Sequence, residues 1–242
     1  MSGVGGRLVV VTGAAGTAGR PATIALAGAG ARVVAVGQSP ERLSELVAQI
    51  PGLTVEIADL GDPSSVLQLA RRIHAGHGPV DGIVHLVGGF RGGATFGANT
   101  SADWRFLDNG LIQTLRHVTL AFHDDLVASP AGRAVIVSGT AVDAPSAGSA
   151  KYAAAKAAAE AWMRALADSF RRFQSGRKDN PLPQTSAAVI LVVKALVDDA
   201  MREAAPERKF PGFTDVQELA GRIVALWSAD AAELNGARIP LI

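Results

Sequence analysis

Short apolar runs alternate with longer amphipathic runs along almost the whole chain. The apolar runs are rich in Val, Ile and Leu, which is typical of strands buried on both faces of a parallel sheet. The pattern predicts strands at residues 8–11, 31–37, 53–57, 82–87, 134–137, 186–193 and 237–241. It predicts helices at residues 21–28, 40–49, 63–75, 102–127, 152–173 and 214–227. This alternation predicts an α/β fold, a doubly wound parallel sheet of about seven strands with helices on both faces.

No internal repeat or shift in composition divides the chain, so we expect a single domain over residues 1–242. That length is sufficient to bury a substantial core. The least structured stretch, residues 174–183, is polar, contains two prolines and is expected to form a surface loop.

Composition excludes several classes of protein. The net charge is +1 with 19% charged residues, and no basic stripe occurs, so we predict neither a nucleic-acid partner nor a membrane partner. The chain has no cysteine, which excludes disulfides and thiolate chemistry and fits a reducing compartment. The first residues lack the order of a signal peptide, so we expect a cytoplasmic protein. The five histidines show no metal-ligand spacing, and we predict no metal site.

The first predicted strand ends in a glycine-rich turn. Gly13, Gly16 and Gly19 follow it at three-residue spacing and precede the first helix. A strand, a glycine turn and a helix in this order place a dinucleotide pyrophosphate at a helix N-terminus, where unpaired N–H groups favour phosphate. The second strand then completes a βαβ unit. Plain turn chemistry is the alternative explanation for these glycines.

Tyr152, the only tyrosine, lies four residues before Lys156 in a predicted helix. Positions four apart share one helix face, so we expect the ammonium to stabilise a phenolate and make the hydroxyl a stronger acid. The pair is therefore a candidate proton donor or acceptor. The alternative is an alanine-rich surface helix in which this spacing has no function.

Further candidate residues follow the predicted strands at one edge of the sheet. Parallel α/β sheets bind ligands beyond the carboxyl ends of their strands. Besides the glycine turn, the residues Gln38, Asp59, Gly88, Ser138 and Lys194 follow strands two to six. Lys194 is either a phosphate contact or a solvated strand end. The convergence predicts one ligand site at this edge.

Three motifs resemble those of the short-chain dehydrogenase/reductase family, and the likeness extends over essentially the whole chain. They are Thr12-Gly13-Ala14-Ala15-Gly16-Thr17-Ala18-Gly19, Asp59-Leu60 and Tyr152-x-x-x-Lys156. The resemblance implies a Rossmann-like fold, a nicotinamide cofactor and hydride transfer to or from a carbonyl, quinonoid or imine carbon of a small molecule. It implies that Tyr152 protonates the substrate while Lys156 lowers the tyrosine pKa and holds the nicotinamide ribose.

The resemblance also implies where the cofactor lies and how the protein assembles. Asp59 would contact the adenine, and the long alanine-rich helix would help to form a homodimer or homotetramer. The implied cofactor contacts are Gly13, Ala15, Gly16, Thr17, Ala18, Gly19, Gln38, Asp59, Leu60, Val87, Gly88, Tyr152 and Lys156.

Several positions depart from the family pattern. Strand four is followed by His85-Leu86-Val87-Gly88, where the family has Asn-Asn-Ala-Gly. Gly139 stands where the catalytic serine is expected, so the flanking hydroxyls of Ser138 and Thr140 are both candidates to polarise the substrate. The asparagine expected in the long helix falls near Gly110.

Cofactor choice depends on the residue after the second strand. An acid there binds the ribose 2′-hydroxyl, whereas a basic residue accepts a 2′-phosphate. Gln38 is neither, but Gly37-Gln38-Ser39 resembles an NADP-type turn and brings no carboxylate to repel a phosphate. We therefore expect NADP or NAD, with a preference for NADP. The glycine-rich residues 88–93 and the missing serine resemble the dihydropteridine reductase branch most, which implies a flat heterocyclic or quinonoid substrate.

Two other functions stay open. One is a degenerate family member that binds the cofactor without redox chemistry and acts as a sensor or partner. The other is an isomerase or lyase on the same fold, with Tyr152 and either Asp199 or His85 as its acid–base groups.

Overall fold

A seven-stranded parallel sheet forms the centre of the computed structural model, which describes residues 3–241. Met1, Ser2 and Ile242, which belong to the expected domain of residues 1–242, lie outside the described residues. The strands in chain order are β1 (Leu8–Thr12), β2 (Arg32–Gly37), β3 (Thr54–Ile57), β4 (Gly82–His85), β5 (Arg133–Gly139), β6 (Ala187–Val193), β7 (Leu196–Val197), β8 (Thr214–Asp215) and β9 (Arg238–Pro240). The sheet order is β3-β2-β1-β4-β5-β6-β9. The strands after β3 therefore add to the other side of β1, which leaves a crevice at the carboxyl ends of β1 and β4.

Helices cover both faces of this sheet. In chain order they are α1 (Gly19–Gly28), α2 (Pro40–Gln49), α3 (Pro63–His77), α4 (Ser101–Leu107), α5 (Thr114–Ala121), α6 (His123–Ala128), α7 (Ala150–Phe173), α8 (Asp199–Ala204), α9 (Val216–Ala225) and α10 (Ala231–Leu234). One apolar layer includes α3, α5 and α7, and the other includes α1, α2 and α9. Along β1, Val10 joins the first layer whereas Val9 and Val11 join the second, because alternate side chains point to opposite faces. The predicted Rossmann-like α/β fold is confirmed.

Two helices begin where their capping residues predict. The Ser39 side chain accepts a hydrogen bond from the Arg42 N–H, and Pro40 is the first residue of α2. The Asp62 side chain accepts one from the Ser64 N–H before α3. Such caps satisfy donors that the helix itself leaves unpaired, so they fix the start of each helix.

The single helix predicted at residues 102–127 is wrong. The chain forms α4, a π-helical turn at Asp108–Gln113, α5 and then α6 after a break at Phe122. A π turn inserts an extra residue into the helical repeat and often occurs at functional sites. Gly110 lies in this turn and its carbonyl accepts a hydrogen bond from the Thr114 hydroxyl.

A second, two-stranded sheet lies between β6 and α9. Leu196 of β7 pairs with Thr214 of β8, and Val197 pairs with Asp215. The helix predicted at residues 214–227 therefore starts at Val216, because the two preceding residues pair as a strand. The segment 198–213, including the unpredicted α8, is closed at its base by this pairing.

Candidate active site

Backbone geometry shapes the turn between β1 and α1. Gly13 has a φ of 71°, a left-handed conformation that favours glycine. A Cβ on Gly13 would lie 2.8 Å from the Leu86 carbonyl oxygen, and a Cβ on Gly19 would overlap the Gly13 carbonyl. Side chains are therefore excluded at these two positions, because the turn packs directly against the Leu86 backbone and against itself.

The same turn leaves backbone donors at the start of α1. Within residues 3–241, the N–H groups of Thr17 and Ala18 have no hydrogen-bond partner. Ala18 is the N-cap and supplies no side-chain acceptor, and no acidic residue occurs in the first turn of α1. The positive end of the helix dipole and these N–H groups fit a pyrophosphate.

A cleft of about 660 Å³ extends from the glycine turn across the carboxyl ends of β1 to β4. That volume is typical of small-molecule sites. Thr17 lines an adjoining cleft of about 450 Å³, whereas Ala18 and Gly19 line neither cleft. The predicted cofactor residues that line the larger cleft are Gly13, Ala15, Gly16, Gln38, Asp59, Leu60, Val87 and Gly88.

Two side chains meet at the carboxyl ends of β2 and β3. The Gln38 amide donates to Asp59 Oδ1 at 3.1 Å. Arg42, in the first turn of α2, donates to the Ala15 carbonyl oxygen at 2.6 Å and lines both clefts. Sequence reasoning missed Arg42 as a site residue. The available signal was a basic residue in the first turn of the helix that follows Gln38.

Tyr152 lies in the first turn of α7, beside the end of β5. A Cβ on Gly139 would be 3.4 Å from the Tyr152 hydroxyl. One turn later, Lys156 Nζ donates to the Val137 carbonyl oxygen at 2.7 Å and lies 5.7 Å from the centre of the Tyr152 ring. Lys156 borders a small cavity with Val87, which also lines the larger cleft. The structure therefore brings the predicted pair together next to that cleft, although neither residue lines it.

Burial sets the protonation of this pair. It raises the pKa of Tyr152, so the phenol stays protonated at neutral pH. The expectation that Lys156 makes the hydroxyl a stronger acid is wrong for this arrangement, because the ammonium donates to Val137. Burial also lowers the pKa of Lys156 to about 8, and the Glu160 carboxylate one turn further along α7 opposes that shift.

The two candidate hydroxyls beside Gly139 have different surroundings. Ser138 is 1% exposed, and its Oγ donates to Glu160 Oε1 at 2.6 Å. The prediction that Ser138 polarises the substrate is therefore corrected, because its buried hydroxyl is bonded to Glu160 whereas Gly139 is the residue beside Tyr152. Thr140 is half-buried, and within residues 3–241 its hydroxyl has no hydrogen-bond partner. Thr140 remains a candidate.

Comparison with known proteins identifies the family. The family model described as short chain dehydrogenase matches residues 7–174, which is well over half of the chain. This chain belongs to the short chain dehydrogenase family. The predicted family is thereby confirmed, whereas the likeness to the dihydropteridine reductase branch stays a prediction.

Individual relatives are distant. The 2,3-dihydro-2,3-dihydroxybenzoate dehydrogenase of Bacillus subtilis is 29% identical over 179 residues, which cover 68% of this chain and 64% of that protein. The matched part thus spans slightly less than two thirds of this relative. The oxidoreductase YciK of Escherichia coli is 29% identical over 173 residues, 69% of each chain. A short chain dehydrogenase from Shigella flexneri, solved in complex with NADP, has a TM-score of 0.84 at 22% identity and covers 99% of both chains.

In this chain, His85 is a structural residue at the end of β4. Its Nδ1 lies 2.8 Å from the Thr12 hydroxyl, and its Nε2 lies 3.1 Å from the Thr114 hydroxyl. Because the Thr114 hydroxyl donates to Gly110, it accepts from Nε2–H, and Thr12 donates to Nδ1. Burial, with a smaller effect from Lys156, lowers the pKa of His85 to about 3. The neutral ring is fully engaged, so the hypothesis that His85 is an acid–base group is wrong.

Sequence reasoning also missed an aromatic contact. The Phe90 ring packs on the Tyr152 ring with centroids 5.1 Å apart and planes at 68°. The available signal was a phenylalanine inside the glycine-rich loop after β4. Lys194, by contrast, is exposed and donates to the Pro211 carbonyl oxygen at 3.0 Å.

Between residues 3 and 241, no group of three or more His, Asp or Glu side chains is placed to hold a metal ion. Over that range, no helix combines the length and the apolar character needed to cross a membrane.

Proposed function

We propose that this protein is an NADP-dependent oxidoreductase that reduces a small carbonyl compound, with Tyr152 as the proton donor. The observation that carries the proposal is the protonated Tyr152 hydroxyl beside Gly139, next to a glycine-turn cleft of dinucleotide size. The names of the relatives are consistent with it, since they are a dehydrogenase and an oxidoreductase.

The residues present fit a nicotinamide dinucleotide. The open N–H groups of Thr17 and Ala18 would bind the pyrophosphate, and Gly13, Ala15 and Gly16 line the cleft beside them. Asp59, held by Gln38, would receive the adenine amino group. When bound, the reduced nicotinamide supplies a hydride to the substrate.

Arg42 supports NADP over NAD. Its guanidinium stands at the end of the cleft next to Gln38 and Ser39, where a ribose 2′-phosphate would lie. Arginine is suited to phosphate because its planar donors form charge-assisted hydrogen bonds. The exposed Glu41 carboxylate accepts from the Ser39 hydroxyl, and it opposes this preference together with Asp59 and Glu45, which line the two clefts. The Shigella flexneri relative was solved with NADP, which agrees.

Tyr152 would complete the reduction by proton transfer. As the hydride reaches the carbonyl carbon, the substrate oxygen takes the proton of the Tyr152 hydroxyl, and the product is an alcohol. Lys156, whose ammonium lies 5.7 Å from the centre of the Tyr152 ring, would hold the nicotinamide ribose. Thr140 would hold the substrate oxygen, because its hydroxyl is the one near Gly139 that no other group engages within residues 3–241.

Replacement of Tyr152 by Phe tests the proposal. We expect Tyr152→Phe to lower kcat by roughly 100-fold or more, as loss of a general acid does. The loss of nicotinamide absorbance with a panel of ketones, quinones and pterins measures it. The NADPH dissociation constant, from fluorescence titration, should stay near wild type because the aromatic ring is kept. Unchanged turnover would contradict the role of Tyr152.

A second function is favoured by one observation, the absence of a hydroxyl at Gly139. A protein that binds NADPH with no turnover of any tested substrate would be a non-redox family member that acts as a sensor or partner. For the isomerase or lyase alternative, Asp199 is the remaining candidate acid–base partner of Tyr152. Asp199 is exposed at the start of α8 and pairs with Arg202. Assembly as a homodimer or homotetramer and a cytoplasmic location stay predictions from the sequence.

A further inference from the structure

Phe90 is a large apolar side chain left open to solvent beside the candidate proton donor. Its side chain is 61% exposed, although its ring packs edge to face on Tyr152. An exposed large apolar side chain next to a functional group is informative, because such surface is typical of ligand contact. The contact with Tyr152 uses one part of the ring and leaves the remainder open to a ligand.

The loop that carries Phe90 is fixed to the segment that carries Tyr152. The Gly93 N–H donates to the Gly148 carbonyl oxygen at 2.8 Å. The Asn99 amide donates to the Ala147 carbonyl oxygen at 3.1 Å. Lys151, next to Tyr152, donates to the Ala98 carbonyl oxygen at 3.2 Å. The position of the Phe90 ring relative to the phenol is therefore set by the fold.

A second exposed phenylalanine of this region, Phe106, has a cationic partner. Phe106 lines the larger cleft, and the Arg91 guanidinium lies 3.9 Å above its ring. For Phe90, in the part of the chain from residue 3 to residue 241, Tyr152 is the only ring that packs on it and no cationic side chain does. Because Arg91 is engaged on Phe106, the open part of Phe90 presents an apolar aromatic surface at the site.

We propose that the substrate carries a planar aromatic ring that stacks on Phe90 and presents its carbonyl group to the Tyr152 hydroxyl. The proposal rests on the proposed function and adds the substrate class. Two aromatic rings in stacked or edge-to-face geometry gain stability beyond that from burial of their apolar area. A saturated ring of the same size gains only the stability from burial.

Two matched ketones separate the aromatic contact from plain apolar burial. Phenylacetone and cyclohexylacetone have the same carbon skeleton and an unconjugated carbonyl, so their intrinsic reactivities are alike. With saturating NADPH, Phe90→Leu should lower kcat/KM for phenylacetone by about three- to tenfold. The value for cyclohexylacetone should stay close to wild type, because leucine keeps an apolar wall and removes the aromatic face. Equal losses for both ketones, or no loss for either, would overturn the proposal.

A binding measurement separates ring recognition from catalysis. Tyr152→Phe keeps the ring on which Phe90 packs and lacks the proton donor, so its NADPH complex binds ketones without turnover. We expect its Kd to be lower for phenylacetone than for cyclohexylacetone, and Phe90→Leu added to it should remove the difference. If the variant shows this preference but the wild-type protein turns over no ketone, the ring site is supported and the proposed function is wrong. If the wild-type protein turns over ketones but the variant shows no preference, the proposed function is supported and the ring site is wrong.

Phe173→Ala is the matched control. Phe173 is another exposed phenylalanine, at 55%, and lies at the opposite end of α7 from Tyr152. At 1.5 Å per residue the two are about 30 Å apart along the helix. The control should change kcat/KM for phenylacetone by less than about twofold, as surface substitutions do. A loss as large as that of Phe90→Leu would assign the effect to exposed apolar surface in general and overturn the proposal.

Discussion

The two halves of the cleft differ in whether backbone atoms or side chains form them. The half at β1, β2 and β3 is made mostly of backbone: a left-handed Gly13, a close approach at Gly19 and open N–H groups at the start of α1. The half at β4 and β5 depends on side chains from separate segments, Tyr152 and Lys156 from α7 and Phe90 from the loop after β4. A site formed by backbone atoms depends on glycines at the right spacing. A site formed by side chains depends on several helices and loops being placed correctly relative to one another.

Departures from the family pattern follow the same division. The glycine turn is intact, but His85, Gly110 and Gly139 replace residues that the family places in the other half. His85 takes a structural role between β1, β4 and α5, so that change is compensated by hydrogen bonds to two threonines. At Gly139, adjacent to the phenol, nothing replaces the missing hydroxyl except the neighbouring Thr140.

The largest expected effect outside Tyr152 is in the first half, at Arg42. Arg42→Leu should raise the Kd for NADPH by roughly 10- to 100-fold, because hydrogen bonds to a charged group are strong. The Kd for NADH should change little, since NADH has no 2′-phosphate. Fluorescence titration with both cofactors measures the ratio.

Arg72→Leu is the control for Arg42, because Arg72 pairs with Glu56 and lines neither cleft. It should leave both dissociation constants unchanged. If Arg42→Leu weakens NADH and NADPH equally, Arg42 acts only by holding the Ala15 carbonyl of the glycine turn, and the preference for NADP has another source.

The sequence was sufficient for the fold because buried strands and capped helices are local signals. The start of α2 follows from Ser39 and Pro40, which act on their own helix. The π turn at Asp108–Gln113 was not predictable from local pattern, since the same residues suit a continuous helix.

Within the site, the sequence identified residues but not their partners. The pair Tyr152 and Lys156 was found from its spacing, yet burial reversed the expected shift of the phenol pKa. Ser138 and Thr140 were indistinguishable in the sequence, because Glu160, the partner that engages Ser138, lies 22 residues further along the chain. Phe90 was missed because its partner Tyr152 lies far along the chain.

A smaller effect is expected from restoring a hydroxyl in the second half. Gly139 has an extended backbone, with φ −130° and ψ 150°, and a Cβ there would meet the Tyr152 hydroxyl at ordinary contact distance. Gly139→Ser should therefore fold and raise kcat by about tenfold, since a hydrogen-bond donor to the substrate oxygen stabilises developing charge. Steady-state kinetics on the best ketone of the panel measures it.

Gly139→Ala separates the hydroxyl from the added bulk. It should leave kcat near wild type or lower it. Equal rates for the Ser and Ala variants would mean that Thr140 already supplies the contact, so that the second half of the cleft is complete as it stands.

The smallest effect concerns the pH dependence of the second half. Lys156 has a pKa of about 8, so its ammonium is present below that pH and is lost above it. We expect kcat/KM to fall above about pH 8. Neither Tyr152, whose pKa is raised, nor His85, whose pKa is about 3, should add a step near neutral pH.

Glu160→Gln tests the origin of that alkaline limb. The Glu160 carboxylate is fully buried and opposes the lowering of the Lys156 pKa, so its removal should move the limb to lower pH. Arg164→Leu removes an exposed partner of Glu160 but keeps the carboxylate, and should leave the limb in place. A limb that does not move in Glu160→Gln, with circular dichroism confirming the fold, would mean that Lys156 does not set the alkaline loss of activity. The catalytic half would then depend on a group other than the lysine that its motif supplies.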